Sequence, residues 1–214
     1  MTKRKIPENT IKNQEKVPIS LSSHNNNCIF AAEFEYLTNS GIAVAVQAIS
    51  NPRFPLLESE NKNLLKLYMN DVGLLTFLLY GTNINAELRD ERSVNLGAVY
   101  ETVVAQELHA HGFSLHYYDN KQKGEVDFLV DDYTNLTILP IEVKSGKDYT
   151  VHSALDNFLE TPDYNIHHAV VLSNEREVCV RNGITYLPIY YCMFYQSDKA
   201  AGGTDLVIPE IKIV

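Results

Sequence analysis

The spacing of apolar and polar residues divides the chain into helices and strands. Helices are predicted over 28–40, 72–79, 94–111, 151–160 and 189–195. Strands are predicted where apolar residues run together or alternate, over 42–49, 65–69, 113–118, 125–130, 137–144, 169–172, 178–180 and 184–187. From residue 94 onward the order is a helix, three strands, a helix and a strand. This order predicts an α/β fold with a central mixed sheet flanked by helices.

Two short polar connections set the arrangement of the three consecutive strands. The segments 119–124 and 131–135 are each too short for a crossover helix. Connections of this length are typical of antiparallel hairpins. The strands over 113–118, 125–130 and 137–144 are therefore predicted to pair in sequence order.

The charge of the chain argues against one class of function. Its 214 residues, 45% of them hydrophobic, are enough for one domain of fair size with a real core. The net charge is −9, and residues 1–60 carry six basic and six acidic side chains, so the acidic excess lies in 61–214. A protein that coats duplex nucleic acid through charge alone is therefore disfavoured.

Cysteine usage and hydropathy indicate the compartment. Cys28, Cys179 and Cys192 are odd in number and far apart, and none forms a C-x-x-C pair, which favours buried thiols in a reducing environment. No apolar run reaches the roughly 18–20 residues that a membrane span needs. The basic N-terminus leads into polar sequence rather than an apolar signal segment. We therefore predict a cytoplasmic protein with no membrane partner.

Two predicted strands carry acidic residues where a charge is costly. On the strand over 125–130, Glu125 and Asp127 are predicted to share one face, opposite the apolar residues. On the strand over 137–144, Glu142 and Lys144 share a face in the same way. If the two strands pair as a hairpin, Asp127, Glu142 and Lys144 converge on one patch.

This patch has the composition of a divalent-metal site. Two carboxylates on neighbouring strands supply the oxygen ligands that Mg²⁺ prefers, since Mg²⁺ takes one or two carboxylates and keeps several waters. A lysine two residues beyond one ligand could position a metal-bound water or steady charge on a phosphate. We therefore predict that Asp127 and Glu142 bind Mg²⁺ or Mn²⁺ beside Lys144.

A third carboxylate lies on the long predicted helix. Glu101 falls in a stripe of small and apolar positions formed by Gly97, Val104, Ala105 and Leu108. Such a carboxylate is functional, paired, or at the edge of the stripe. If it points at the sheet, it could complete the metal site.

Plainer interpretations stay open for several of these residues. Glu142 and Lys144 could form a solvated salt bridge of little energetic value. Glu125 could be an additional ligand, although a carboxylate at the rim of the site is the favoured interpretation.

Four segments, in order, resemble the motifs of a known family. They are 66–75 (KLYMNDVGLL), 97–108 (GAVYETVVAQEL), 124–128 (GEVDF) and 141–146 (IEVKSG). Over about residues 29–195 the chain resembles the C-terminal domain of unknown function of prokaryotic AAA-type ATPases, within the PD-(D/E)-x-K, or restriction-endonuclease-like, nuclease superfamily.

The resemblance implies a fold and a chemistry. It implies a restriction-endonuclease-like core with Glu101, Asp127, Glu142 and Lys144 in the site. Asp127 and Glu142 would bind Mg²⁺, Glu101 would bind a second metal or tune the first, and Lys144 would position the water that attacks a nucleic acid phosphodiester. With its acidic surface, the chain is expected to bind nucleic acid weakly unless a partner, such as an ATPase, delivers it.

The resemblance also implies an organisation of the chain. Residues 1–27 are expected to be a flexible leader, 28–60 the remnant of a winged-helix-like linker, 61–197 the nuclease-like domain and 198–214 a tail. No segment has the G-x-x-x-x-G-K-[ST] pattern of a phosphate-binding loop, so this chain cannot hydrolyse ATP by that route. It is expected to derive from the C-terminal part of an ATPase and to lack the ATPase domain.

A second class of function competes with the nuclease. The chain could be a non-catalytic docking or regulatory module for an ATPase or another partner, or a decayed remnant of an ATPase. A metal ion between Asp127 and Glu142 would favour the enzyme. A site blocked by side chains would favour the module.

Overall fold

A computed structural model describes residues 27–81, 96–146 and 148–197, with the backbone alone at 27–31 and 61–63. The helices are α1 (Asn27–Asn39), α2 (Val72–Tyr80), α3 (Gly97–Ala110) and α4 (Ser153–Leu159). The strands are β1 (Ala43–Ile49), β2 (Asn61–Met69), β3 (His116–Asn120), β4 (Gly124–Asp132), β5 (Thr137–Lys144), β6 (Ala169–Ser173), β7 (Cys179–Arg181) and β8 (Ile184–Pro188). Short 3₁₀ helices cover Leu56–Ser59, Pro162–Tyr164 and Ile189–Phe194.

All eight described strands form one mixed sheet, in the order β2-β1-β3-β4-β5-β6-β8-β7. The two predicted hairpins are confirmed, because β4 pairs antiparallel with both β3 and β5. The pairs β1–β3, β5–β6 and β6–β8 are parallel. The predicted α/β class with a central mixed sheet is therefore confirmed.

Helices cover both faces of the sheet. On one face, α3 and the 3₁₀ helix Ile189–Phe194 pack on a core that includes Val104, Leu108 and Phe128. On the other face, α4 packs on a second core around Leu155 and Phe158. The faces are called the α3 face and the α4 face below.

The bounds of several strands differ from the predicted ones, most of all those of β2 and β3. β2 begins at Asn61 rather than at residue 65, because its first residues are polar and carry no strand signal at the edge of the sheet. β3 begins at His116 and runs to Asn120, slightly later than predicted. The predicted leader up to residue 26, the tail over 198–214 and the predicted helix start at 94–95 lie outside the described residues.

The predicted linker segment contributes to the same sheet as the rest of the chain. β1 lies between β2 and β3 and is hydrogen-bonded to both. The origin of residues 28–60 in a winged-helix-like linker stays a prediction. Among the described residues, no helix has the length and apolarity to cross a membrane.

Candidate functional site

The site lies where β4 and β5 separate. Their backbone pairing runs from Asp132 opposite Thr137 to Phe128 opposite Ile141, where it ends. One residue further along β4, the side chain of Asp127 takes over, and its Oδ2 accepts a hydrogen bond of 2.8 Å from the Val143 backbone N–H. We call this region the β4–β5 fork. The buried carboxylate of Asp127 thus accepts a hydrogen bond that a backbone carbonyl would accept if the strand pairing continued.

A β-bulge sets the direction of Asp127. Between the pairs His116–Leu129 and Tyr118–Val126, β4 has two residues and β3 has one. The predicted alternation along β4 is therefore wrong at this point, because Val126 packs on the α4 face whereas Phe128 packs on the α3 face. The extra residue re-aims Asp127 into the fork.

The negative charges of two other carboxylates act on Asp127. Burial, followed by the charges of Glu142 and Glu101, raises the pKa of Asp127 well above its ordinary value. The Val143 N–H and Lys66 act in the opposite direction but do not cancel this rise. Asp127 thus holds a proton more tightly than an ordinary aspartate, as expected of a carboxylate that lacks a full counter-charge.

Glu142 and Lys144 form the second part of the site. Glu142 is only 6% exposed, and its Oε1 accepts a hydrogen bond of 2.7 Å from Lys144 Nζ. Its other oxygen, Oε2, is buried and finds no hydrogen-bond partner among the described residues. Because a buried charged oxygen without a partner is costly, this atom is an available acceptor for a cation or a proton.

Glu101 approaches from the α3 face. Its position three, four and seven residues before Val104, Ala105 and Leu108 puts it beside the buried stripe of α3. Its Oε2 accepts a hydrogen bond of 3.2 Å from the Tyr68 hydroxyl on β2. Burial and the charges of Glu101, Asp127 and Glu125 together raise the pKa of Tyr68, so the phenol stays protonated and continues to donate.

Glu125 is held by a lysine from a distant part of the sequence. Lys66 Nζ on β2 makes a hydrogen-bonded ion pair with Glu125 Oε1 on β4. The same ammonium lies 4.5 Å from the centre of the Tyr117 ring on β3. Glu125 is therefore neutralised by a neighbour that packs on the α3 face.

The structure brings together the residues that the sequence predicted. Asp127, Glu142 and Lys144 meet at the fork, and Glu101 lies close enough to act on Asp127. Sequence reasoning missed Lys66 and Tyr68 as members of the cluster. The one signal for them was the motif KLYMNDVGLL, in which they alternate on one strand face without any indication of what that face contacts.

The donor set at the fork fits a hard divalent cation. Two buried carboxylates, one with a free oxygen, are the ligand type and number that Mg²⁺ uses together with several waters. Across the described ranges, no three His, Cys, Asp or Glu side chains are grouped closely enough to hold a metal among them. The assignment of Glu101 as a third ligand therefore stays a prediction.

Two surface pockets lie away from this cluster. Pockets of about 510 and 360 Å³ lie beside the start of β5, at residues 136–139. The end of the 3₁₀ helix Pro162–Tyr164 and the loop after it, residues 163–168, also line them, and residues 51–54 line the larger one. Neither is lined by Asp127 or Glu142. The carboxylates are thus placed at the opposite end of β5 from these pockets.

Comparison with known proteins finds one family. No curated protein and no solved structure matches the sequence. A family model described as "Domain of unknown function (DUF4143)" matches residues 96–192, which run from the start of α3 into the 3₁₀ helix Ile189–Phe194. The matched range contains Glu101, Asp127, Glu142 and Lys144, whereas Lys66 and Tyr68 precede it. Over residues 96–192 the chain is therefore similar to a domain of unknown function.

Proposed function

We propose that this chain is a divalent-metal-dependent nuclease that cleaves phosphodiester bonds in nucleic acid. The observation that carries the proposal is the buried pair Asp127 and Glu142 at the β4–β5 fork, in which Glu142 Oε2 has no partner among the described residues. The resemblance to the PD-(D/E)-x-K superfamily supports the same residues. The match to a domain of unknown function is compatible with this activity and assigns none.

Asp127 and Glu142 would hold the metal. Both are buried, and burial together with the charges of Glu142 and Glu101 raises the pKa of Asp127, which a bound cation would counteract. A bound Mg²⁺ or Mn²⁺ would act as a Lewis acid on a phosphate oxygen and make water more nucleophilic. Glu101 acts from the α3 face as a charge that tunes Asp127.

Lys144 would orient the attacking water. Its ammonium is fixed by the 2.7 Å hydrogen bond to Glu142 Oε1, yet the side chain is 27% exposed. An ammonium has three donors, so two remain to hold a water and a phosphate oxygen. Lys144 can therefore connect the buried pair to a substrate at the surface.

The substrate would be bound weakly by the chain alone. The net charge of −9 opposes the approach of a polyanion, and the metal offsets only part of it. A partner that delivers nucleic acid would remove this limit. The resemblance to the C-terminal domains of AAA-type ATPases makes an ATPase the partner that we propose.

The test compares Asp127→Ala with the native chain. Calorimetry with MgCl₂ and MnCl₂ should show binding to the native chain and none to the variant, because one of two carboxylate ligands is lost. A cleavage screen over single- and double-stranded DNA and RNA should show metal-dependent activity that Asp127→Ala abolishes. Asp148→Ala, which removes an exposed carboxylate that is not among the four predicted site residues, is the matched control and should retain both properties.

Two results would contradict the nuclease. Equal cleavage by the native chain and Asp127→Ala would remove Asp127 from the mechanism. Absence of Mg²⁺ and Mn²⁺ binding at millimolar concentration would exclude a metal-dependent mechanism.

A non-catalytic docking module is the second candidate, and two observations favour it. Asp127 and Glu142 are each only 6% exposed, so side chains cover the site. Helix α2 has no buried residue and exposes Leu74, Phe77 and Leu78 to solvent. A chain that binds neither metal nor nucleic acid, but co-purifies stoichiometrically with an ATPase, would establish this alternative.

A further inference from the structure

Helix α2 directs its large apolar residues away from the protein. Leu74, Phe77 and Leu78 are spaced three and four residues apart, so they form one stripe, and they are 45%, 59% and 65% exposed. Val72 and Thr76, on the opposite side of the helix, are partly covered. A surface helix of a globular protein has the reverse arrangement, with its apolar stripe toward the core. We call Leu74, Phe77 and Leu78 the outer stripe of α2.

The outer stripe fits an apolar occupant. Residues 72–80 contain no charged side chain, so no ion pair can hold a partner on this helix. Apolar contact is then the interaction that remains, and a contiguous exposed apolar patch of this kind marks a surface that another segment covers.

One segment outside the described residues has a matching composition. Six of the ten residues over 205–214 are Leu, Val or Ile. Only three of the fourteen residues over 82–95 are of these types, and five are charged. Over 1–26 they number five of twenty-six. The segment 205–214 is therefore the best match to an uncharged apolar stripe.

The described chain also ends close to α2. Ser197 is only 5% exposed, and its backbone N–H donates a hydrogen bond of 3.2 Å to the carbonyl of His111, just after α3. At the start of α2, the Val72 N–H donates a bond of 3.3 Å to Gln106 Oε1 on α3. Gln106 and His111 are about 7.5 Å apart along a helix axis. Residues 198–204 can span about 23 Å, so they bring 205–214 within reach of α2.

We propose that the segment 205–214 packs on the outer stripe of α2 and covers it. The inference does not depend on the proposed metal site. It bears on the second candidate function, because a partner that docks on α2 would first have to displace this segment.

The test is hydrogen exchange of the full chain, followed by mass spectrometry. Leu78→Asp places a charge in the outer stripe and should make the amides of 205–214 exchange about tenfold faster than in the native chain, because their cover is lost. Ile208→Asp should in turn make the amides of 72–80 exchange about tenfold faster. Leu57→Asp, which changes a leucine that is 71% exposed in the 3₁₀ helix Leu56–Ser59, is the matched control and should leave both segments at their native rates.

Four results would overturn the proposal. Exchange of native 205–214 at the rate of an unstructured peptide would show that the segment packs on nothing. Slow exchange that Leu78→Asp does not change would place its contact elsewhere. If Leu78→Asp accelerates 82–95 instead, that segment is the cover. A native dimer that Leu78→Asp converts to a monomer in sedimentation velocity, with 205–214 unchanged, would make a second copy of the chain the occupant.

Discussion

Asp127 is the residue on which the charges of the site converge. Its carboxylate accepts the Val143 N–H in place of a strand carbonyl, so it lies near the plane of the sheet. Glu142 alternates with the α3-face residues Ile141 and Val143 and therefore points to the α4 face, whereas Glu101 approaches from the α3 face. The two like charges thus act on Asp127 from opposite faces, which explains why the three carboxylates do not form one compact ligand group.

Asp127→Asn should make the protein more stable at neutral pH. The folded pKa of Asp127 is raised, so its contribution to stability is fully present below the unfolded pKa, near 3.9, and is lost as pH rises through the folded value. Asparagine can still accept the Val143 N–H but never ionises. Urea unfolding should show a gain of about 1–3 kcal/mol at pH 7–8 that vanishes as pH falls to about 4.

The exposed Asp148 supplies the control, since Asp148→Asn should change stability little at any pH. A destabilised Asp127→Asn chain at neutral pH, or a gain in stability that does not depend on pH, would show that ionisation of Asp127 does not destabilise the folded protein. MgCl₂ should stabilise the native chain and not Asp127→Asn, because ligand binding to the folded state adds to its stability.

Tyr68→Phe should destabilise the protein. The hydroxyl of this buried tyrosine donates to Glu101 Oε2, and its loss leaves a carboxylate oxygen without that donor. We expect a loss of about 1–3 kcal/mol in the free energy of unfolding, measured by urea denaturation. Because the raised pKa of Tyr68 keeps the phenol protonated, the loss should be the same at pH 7 and pH 9. Tyr36→Phe, at a residue 69% exposed, should have no such effect.

At the level of single residues, the sequence predicted the residues of the β4–β5 fork but not the residues around it. Glu142 and Lys144 share a face through simple strand alternation, which a sequence displays directly. Lys66 and Tyr68 come from β2, three places from β4 in the sheet, so their contacts with Glu125 and Phe128 depend on how the sheet curls. No local pattern encodes that curvature, and the bulge at Asp127 has no glycine signal either.

Among the elements, α4 packs closely against the turn between β3 and β4, at the start of the strand that carries Asp127. Gly124 begins β4 with φ +98°, a conformation that side chains rarely adopt. A Cβ added there would lie 2.8 Å from the Ala154 Cβ in the first turn of α4. Only glycine allows this close approach of the helix to the strand that carries Asp127.

Gly124→Ala should therefore lower the thermal stability. Strain at positive φ costs about 1–3 kcal/mol, which corresponds to about 2–4 °C in Tm per kcal/mol for a chain of this size. Gly146→Ala is the matched control, because beyond the chain neighbours no atom of the described residues lies within 4 Å of a Cβ added at Gly146, and its φ is not positive. Equal melting temperatures of the two variants in differential scanning calorimetry would contradict the steric role of Gly124.

The elements themselves were largely predictable. Strands such as β5 and β6 are buried on both faces and read as short apolar runs between turn residues, so periodicity and length identify them. The beginning of β2 was not predictable. Asn61 pairs with Ala48 of β1 across an irregularity in the register, a contact between segments that the sequence does not relate.

On the scale of the whole molecule, the sequence predicted the class and the central hairpins but not the strand order. The α/β class follows from the succession of elements, and short loops dictate that β3, β4 and β5 pair in turn. The parallel contact of β1 with β3 joins strands separated by β2, α2 and α3. Such long-range pairing depends on packing over the complete sheet, so it could not be read from local patterns.

The edge position of β2 has a consequence for motion. Among the described strands β2 pairs only with β1, so it should open locally more often than the interior strands. Amide protons of β2 should accordingly exchange with solvent faster than those of β5. Each such opening carries Lys66 away from Glu125 and Tyr68 away from Glu101. The surroundings of Glu101 and Glu125 would then change with the opening of a strand that carries none of the four predicted site residues, and a partner that covers this edge would hold these contacts in place.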